Sequence, residues 1–351
     1  MANSFRRLVF AATILTLLVV VVGAYVRLSD AGLGCPDWPG CYGKITPVHA
    51  KGQIAQAIQE QGGGHGPVSM PKAWKEMGHR YLAGVLGLMI VSIAVIAWIR
   101  RHTLRQGLWL PTMIVLVVLF QATLGKWTVT MLLKPAIVTA HLIGGMCTLG
   151  LLTWLALRQC RFHASDDDKG VKSLRVLAML GFLVLCIQIV LGGWVSTNYA
   201  ALACPDLPLC RGELIPPMDF ANAFHVLREL GMTPAGEFLS AQALTAIHWV
   251  HRMFAILVTA ALAMLSVRLL RHAQLRRLGM ALLAALGAQV VLGMANVALS
   301  LPLVLAAAHN AGAALLLMLL IMINYLSFHG LAVEPGAYST KPGKSSTGSD
   351  H

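Results

Sequence analysis

The sequence predicts an all-α integral membrane protein whose eight transmembrane helices form two tandem four-helix bundles related by pseudo-twofold symmetry. Three observations predict it. Of the 351 residues 57% are hydrophobic and only 12% charged, with a mean hydropathy of +0.71, whereas soluble domains carry roughly 25% charged residues. Eight apolar runs are long enough to cross a bilayer as helices. Motifs in the first half of the chain return in the second at matching spacings.

The runs read as 8–26, 77–99, 109–129, 136–158, 176–198, 244–267, 278–299 and 304–326. The first is too long for a signal-peptide core and no A-x-A cleavage site follows it, so it reads as a retained anchor. Basic residues fall on one side: Arg6 and Arg7, then Arg100, Arg101 and Arg105, then Arg158, Arg161, Lys169, Lys172 and Arg175, then Arg268, Arg271, Arg276 and Arg277, and finally Lys341 and Lys344. That is sixteen of the 27 Lys and Arg, which places both termini in the cytoplasm. The net charge of +13 is therefore an orientation signal in short loops, with membrane lipid and not nucleic acid as the partner. The tail over 333–351, rich in Gly, Ser, Lys and Pro, is expected to be disordered.

Two long loops, 27–76 and 199–243, fall on the outer face. Each holds a cysteine pair at the same spacing, Cys35-x5-Cys41 and Cys204-x5-Cys210, and each pair begins Cys-Pro-Asp. An oxidising compartment permits a disulfide in each. The spacing is unusual for zinc and no second pair completes four ligands. A structural staple and a redox-active pair both remain open. Cys147, Cys160 and Cys186 lie singly in or near spans and read as packing residues.

The repeat goes further. Gly23 precedes Cys35 by twelve residues, as Gly192 precedes Cys204, and Gly125 precedes His141 by sixteen, as Gly293 precedes His309. Gln121, Gln188 and Gln289 each stand four residues before one of these glycines. Residues 8–158 and 176–326 thus read as two copies of a four-helix unit in one orientation, an arrangement that packs around an axis along the membrane normal.

On this frame His79, His141, His251 and His309 lie near the outer starts of the second, fourth, sixth and eighth spans. Within each copy the two are 62 and 58 residues apart, at similar depth on two helices of one bundle. Facing side chains in a bundle core are where cofactor sites are built. Two opposed imidazoles suit the axial positions of a haem iron, although a single intramembrane histidine is more often an interhelical hydrogen-bonding group. Glu76 and His248 occupy the same place three residues before a His-Arg pair, so only the first copy carries a carboxylate. An ionisable group at membrane depth is costly, which makes Glu76 a functional candidate; its bland alternatives are pairing with Arg80 or capping the helix. His248 reads as a surface or interfacial residue. Arg80 and Arg252 are candidates either to pair with haem propionates or to snorkel to headgroups.

Val26-Arg27-Leu28-Ser29-Asp30-Ala31-Gly32-Leu33-Gly34-Cys35-Pro36-Asp37-Trp38-Pro39, Glu76-x-x-His79-Arg80, Ala140-His141-Leu142, His251-Arg252 and Ala308-His309-Asn310 together resemble the haem A synthase family, over about residues 10–328. The resemblance implies an oxidoreductase of the bacterial inner membrane that oxidises the C8 methyl group of haem O to the formyl group of haem A by successive hydroxylations, for cytochrome oxidase. It further implies a resident haem b on His251 and His309, the substrate haem bracketed by His79 and His141, Glu76 as catalytic carboxylate, and Cys35 and Cys41 in the activity. Haem O synthase and an electron partner are the further partners it suggests. A different class remains as the alternative, a non-catalytic carrier with two b haems, and a haem-free thiol oxidoreductase as a third that leaves the four histidines unexplained.

Overall fold

The computed structural model describes residues 2–61, 63, 68–104, 106–160, 162–163, 173–329 and 332–333. The expected disordered tail lies outside the described residues except for Val333, as do Arg105, Arg161, Lys169, Lys172, Lys341 and Lys344. The chain is helical: α1 (Ala2–Leu28), α2 (Lys51–Glu60), α3 (Met70–Ile99), α4 (Arg101–Leu104), α5 (Trp109–Thr130), α6 (Pro135–Arg158), α7 (Arg175–Thr197), α8 (Phe220–Ala223), α9 (Ala241–Leu270), α10 (Arg276–Ala298) and α11 (Leu303–His329). Eight of these are long and apolar enough to cross a membrane. The described residues also hold a two-residue antiparallel pairing of Phe162–His163 with Ala332–Val333, which ties the connection between the halves to the chain beyond α11.

Two helices begin before their apolar runs at capping serines. The expected loop over 27–76 ends at Ser69, whose side chain accepts the Lys72 N–H at 3.3 Å, with Pro71 in the first turn. The loop over 199–243 likewise ends at Ser240, which accepts the Ala243 N–H at 3.1 Å. Serine caps are strong helix starts, the more so with a proline in the first turn, and hydrophobicity alone does not register them. The consequence is positional. With 30 residues, α3 is about 45 Å long, more than the roughly 30 Å of bilayer hydrocarbon, so its amino-terminal turns carry Glu76 and Arg80 out toward the loop.

Packing repeats between the halves. In the first, α1 and α5 each pack against both α3 and α6; in the second, α7 and α10 each pack against both α9 and α11. The halves meet through α1 with α11, α6 with α7, and α6 with α11. Leu149, Leu185, Leu262, Leu265, Leu317 and Leu320 lie in the core that runs across this junction. Large apolar side chains on the opposite faces, such as Ile14, Leu88, Ile256 and Val304, are more than 60% exposed and form the surface offered to lipid. Cys147, expected to pack, is exposed there too.

The repeated spacings have a backbone cause. Past the ends of α1 and α7 the chain turns through left-handed residues, Asp30 (φ 49) and Tyr199 (φ 54). The next N–H reaches back five residues in each, Ala31 to Val26 O and Ala200 to Val195 O, both at 3.0 Å. Between α5 and α6 the left-handed pair is Leu132 and Leu133, and between α10 and α11 it is Ser300 and Leu301. Here Leu133 N donates to Thr128 O at 2.9 Å and Leu301 N to Asn296 O at 2.7 Å. These are Schellman-type helix ends, and identical ends impose identical register on the segments after them.

Polar bridges join the halves at the end of the spans that carries the two long loops. Arg27 Nη2 donates to the Ser196 and Thr197 carbonyls at 3.1 and 3.4 Å, where α7 ends. Its guanidinium lies 4.1 Å above the Tyr199 ring, and Tyr199 in turn donates to Asp30 at 2.8 Å. The Thr139 and Thr197 hydroxyls meet at 3.1 Å. Arg27→Ala removes two charge-assisted hydrogen bonds and is expected to cost about 1.5–3 kcal/mol. Thermal unfolding in detergent reads this as a lower midpoint; an unchanged midpoint would mean that Arg27 does not help to hold the halves together.

Candidate functional site

Each of the four histidines rests against a glycine of the neighbouring helix. A Cβ at Gly23 on α1 would lie 2.9 Å from His79 Cε1 on α3, and one at Gly125 on α5 would lie 3.3 Å from His141 Cε1 on α6. In the second half the corresponding gap is 3.1 Å both for Gly192 with His251 and for Gly293 with His309. Any other residue would push the ring aside. The glycines that stood out by spacing are therefore the seats of the imidazoles. The rings come in pairs, His79 within electrostatic reach of His141 and His251 of His309, and among the described residues no three His, Cys, Asp or Glu gather into a metal cluster.

One turn from three of the seats stands a glutamine. Gln121 Nε2 donates to the His141 backbone carbonyl at 2.8 Å. Gln188 Nε2 lies 3.2 Å from His251 Nδ1 and donates to the His251 carbonyl at 3.2 Å. Gln289 Nε2 lies 3.3 Å from His309 Nε2. Buried polar atoms without a partner concentrate at the same places: Nδ1 of His79, His141 and His309, Oε1 of all three glutamines, and Oδ1 of Asn296 and Asn310. Native structures leave few such atoms unpaired, so this cluster marks a place where a ligand belongs.

The two outer loops are fastened down by one scheme used twice. Cys35 N donates to Glu76 Oε2 at 2.9 Å, and Cys204 N donates to His248 Nδ1 at 3.3 Å. One turn further along each helix an arginine serves the same residue. Arg80 Nη2 donates to Glu76 Oε1 at 2.5 Å, while Arg252 Nε lies 3.1 Å from His248 Nε2, a neutral imidazole having one acceptor nitrogen only and that one taken by the Cys204 N–H. Both guanidinium groups then donate into the loop carbonyls, Arg80 to Cys35, Asp37 and Gly40, Arg252 to Cys204, Asp206 and Leu209. The aspartate of each Cys-Pro-Asp closes the turn, Asp37 accepting from the N–H groups of Tyr42 and Gly43 and Asp206 from those of Arg211 and Gly212. The Gly212 N–H, with that of Arg211, holds the Asp206 carboxyl below the usual carboxylate range. Both cysteine pairs are disulfide-bonded, Cys35 with Cys41 and Cys204 with Cys210.

This geometry revises three readings of the sequence. His248 is not at the surface: it is 4% exposed, as is Glu76, and it does the same fastening work. Arg80 and Arg252 do not snorkel, because loop carbonyls take their donors, with the Glu76 carboxylate a further acceptor for Arg80. Glu76 does pair with Arg80, at a helix position well inside α3 and not at its cap. The repeat of His-Arg pairs was the signal for all this; what the arginines bind was invisible, since backbone carbonyls carry no sequence mark.

Comparison with known proteins adds the family. A profile of the COX15-CtaA family, described as cytochrome oxidase assembly protein, matches residues 6–321. The chain is 44% identical over 318 residues to a Heme A synthase of Shewanella oneidensis, covering 90% of this chain and 94% of the relative. It is 29% identical over 363 residues to a Heme A synthase of Methylobacterium radiotolerans, covering 96% and 93%, and 26% identical over 277 residues to one of Shouchella clausii, covering 76% and 84%.

The equivalence of Glu76 and His248 can be tested without reference to activity. Glu76→Leu leaves the Cys35 N–H and the Arg80 guanidinium without their acceptor and is expected to cost about 3–5 kcal/mol. Glu76→His, which copies the second half, should fold with most of that stability retained. If the two variants lose equal stability in detergent melts, the fastening role assigned to this position is wrong.

Proposed function

The chain belongs to the COX15-CtaA family of cytochrome oxidase assembly proteins, and from that premise we propose that it is a haem A synthase, oxidising the C8 methyl group of haem O to the formyl group of haem A. The observation that carries the reading is the set of four glycine-seated imidazoles, in two pairs, with buried ring nitrogens left unpaired. Histidine side chains are haem-iron ligands, and each half offers a pair that would hold one haem. His251 and His309 would hold a resident haem b, and His79 and His141 would bracket the substrate haem O, which enters from the bilayer as its lipophilic tail requires. A bound haem b supplies one-electron chemistry.

The chain's own residues do the rest. Glu76 is the carboxylate beside the substrate pair, able to hold a proton as the methyl carbon is oxidised. Its oxygens are also the acceptors for Cys35 N–H and Arg80, so proton uptake there loosens the attachment of the Cys35–Cys41 loop. That link is how the first cysteine pair enters the activity. Arg80 and Arg252 hold the loops in place, and pairing with haem propionates is the further role proposed for them. Each half is read as one bundle with one site, in a bacterial inner membrane, with both termini in the cytoplasm. Arg6, Arg7, Arg100, Arg101, Arg158, Arg175, Arg268, Arg271, Arg276 and Arg277 support that orientation, all at one end of the spans.

One observation favours a second reading. Glu76 does structurally what His248 does, which a non-catalytic carrier with two b haems would also need. Bound-haem analysis separates the two. The protein expressed beside a haem O source, purified and extracted, is expected to yield haem b together with haem O, haem A or the intermediate alcohol. Alanine at His251 or His309 should remove the haem b, and alanine at His79 or His141 the other haem. Haem b alone, with haem O abundant in the same cells, would make the carrier the correct reading.

A further inference from the structure

We propose that a glutamine amide beside an imidazole decides which pocket keeps its haem and which exchanges it: Gln188 is a positioning residue that makes the carboxy-terminal pocket retentive, and Val19 leaves the amino-terminal pocket exchangeable. The inference rests on the assignment of one haem to each histidine pair.

Gln121, Gln188 and Gln289 each precede a seat glycine by four residues and so share its helical face. The residue four before Gly23 is Val19, a partly buried side chain packed against the apolar core of the first half. His79 therefore has a seat and no amide. The amides also differ in what they touch. In the second half Gln188 reaches His251 Nδ1, whereas Gln289 lies against His309 Nε2 and leaves His309 Nδ1 buried without a partner. In the first half Gln121 reaches only the His141 carbonyl, and Nδ1 of both His79 and His141 is buried without a partner.

Steric seating fixes where a ring lies but not its rotation about the bond to Cβ, and a hydrogen bond to a ring nitrogen fixes both rotation and tautomer. An amide serves either need, carrying a donor and an acceptor on one planar group, and Oε1 of Gln188 and of Gln289 is still unpaired. His251 is thus pre-oriented by an amide on Nδ1, whereas the first-half imidazoles, with no amide on either ring, turn more freely. An enzyme whose substrate and product occupy one histidine pair needs that pair to let go, and the other pair to hold.

Haem transfer tests this directly. The loaded protein in detergent is mixed with an excess of a soluble apo-globin as haem acceptor. Chromatography of the haem left behind reports the pockets separately, because haem b marks one and haem O or haem A the other. The wild-type protein is expected to lose haem O or A first. Val19→Gln should slow that loss roughly two- to tenfold, as one added hydrogen bond would, with haem b loss unchanged. Gln188→Leu should speed haem b loss roughly ten- to hundredfold, the usual effect of losing an outer-sphere partner. It should also shift the low-spin spectral signature of that haem, and Gln188→Glu, which keeps an acceptor, should restore both. Wild-type transfer rates in Val19→Gln, or in Gln188→Leu with its spectrum unmoved, overturn the proposal. A haem content that His79→Ala leaves intact overturns the underlying assignment as well, and so tells the two failures apart.

Discussion

An imidazole is too large to sit between two closely packed helices unless one of them gives up a side chain. That constraint organises the protein. Gly23, Gly125, Gly192 and Gly293 each open room for one ring, and small residues are what allow helices to approach closely inside a membrane, where apolar burial supplies no drive of its own. With the glycine fixed on one helix and the histidine on the next, the helix ends between them must place the two at one level. The left-handed turns at Leu132–Leu133 and Ser300–Leu301 do so in the same way in both halves.

Above the rings, the outer loops depend on two arginines. A loop that bends sharply around a disulfide exposes carbonyls in several directions, and a guanidinium with five donors can gather several of them at once. Arg80 and Arg252 do this at matching carbonyls. Position 76 in one half and 248 in the other each accept the cysteine N–H of their loop, with a carboxylate oxygen or an imidazole nitrogen. The fastening therefore leaves the chemistry of that position free to diverge, and a negative charge beside one histidine pair but not the other is the divergence found here.

Much of this is legible in the sequence. The eight spans, the repeat and the four histidines can be read from hydrophobicity and spacing, because apolar runs and fixed intervals are properties of sequence itself. The seat glycines are visible as a regularity, though their purpose is not, since the ring that fills the space comes from another helix. Helix starts at Ser69 and Ser240 lie beyond the apolar runs and are set by caps instead. The burial of His248 is illegible for a similar reason. Its partners are a backbone N–H from a loop 44 residues away and an arginine whose remaining donors go to carbonyls.

The contacts between the halves bear on how such a chain can be cut. The first helix packs on the last, and α6 packs on α7, so the closing contact and the internal junction join the same kinds of neighbour. The short strand pairing also brings the linker after α6 beside the segment after α11. Nothing in this packing requires that residues 8–158 come first. A circularly permuted chain that opens between the bundles and joins the old ends would meet every helix it meets now. The order of the two halves is then a matter of synthesis and insertion, and not of the folded state.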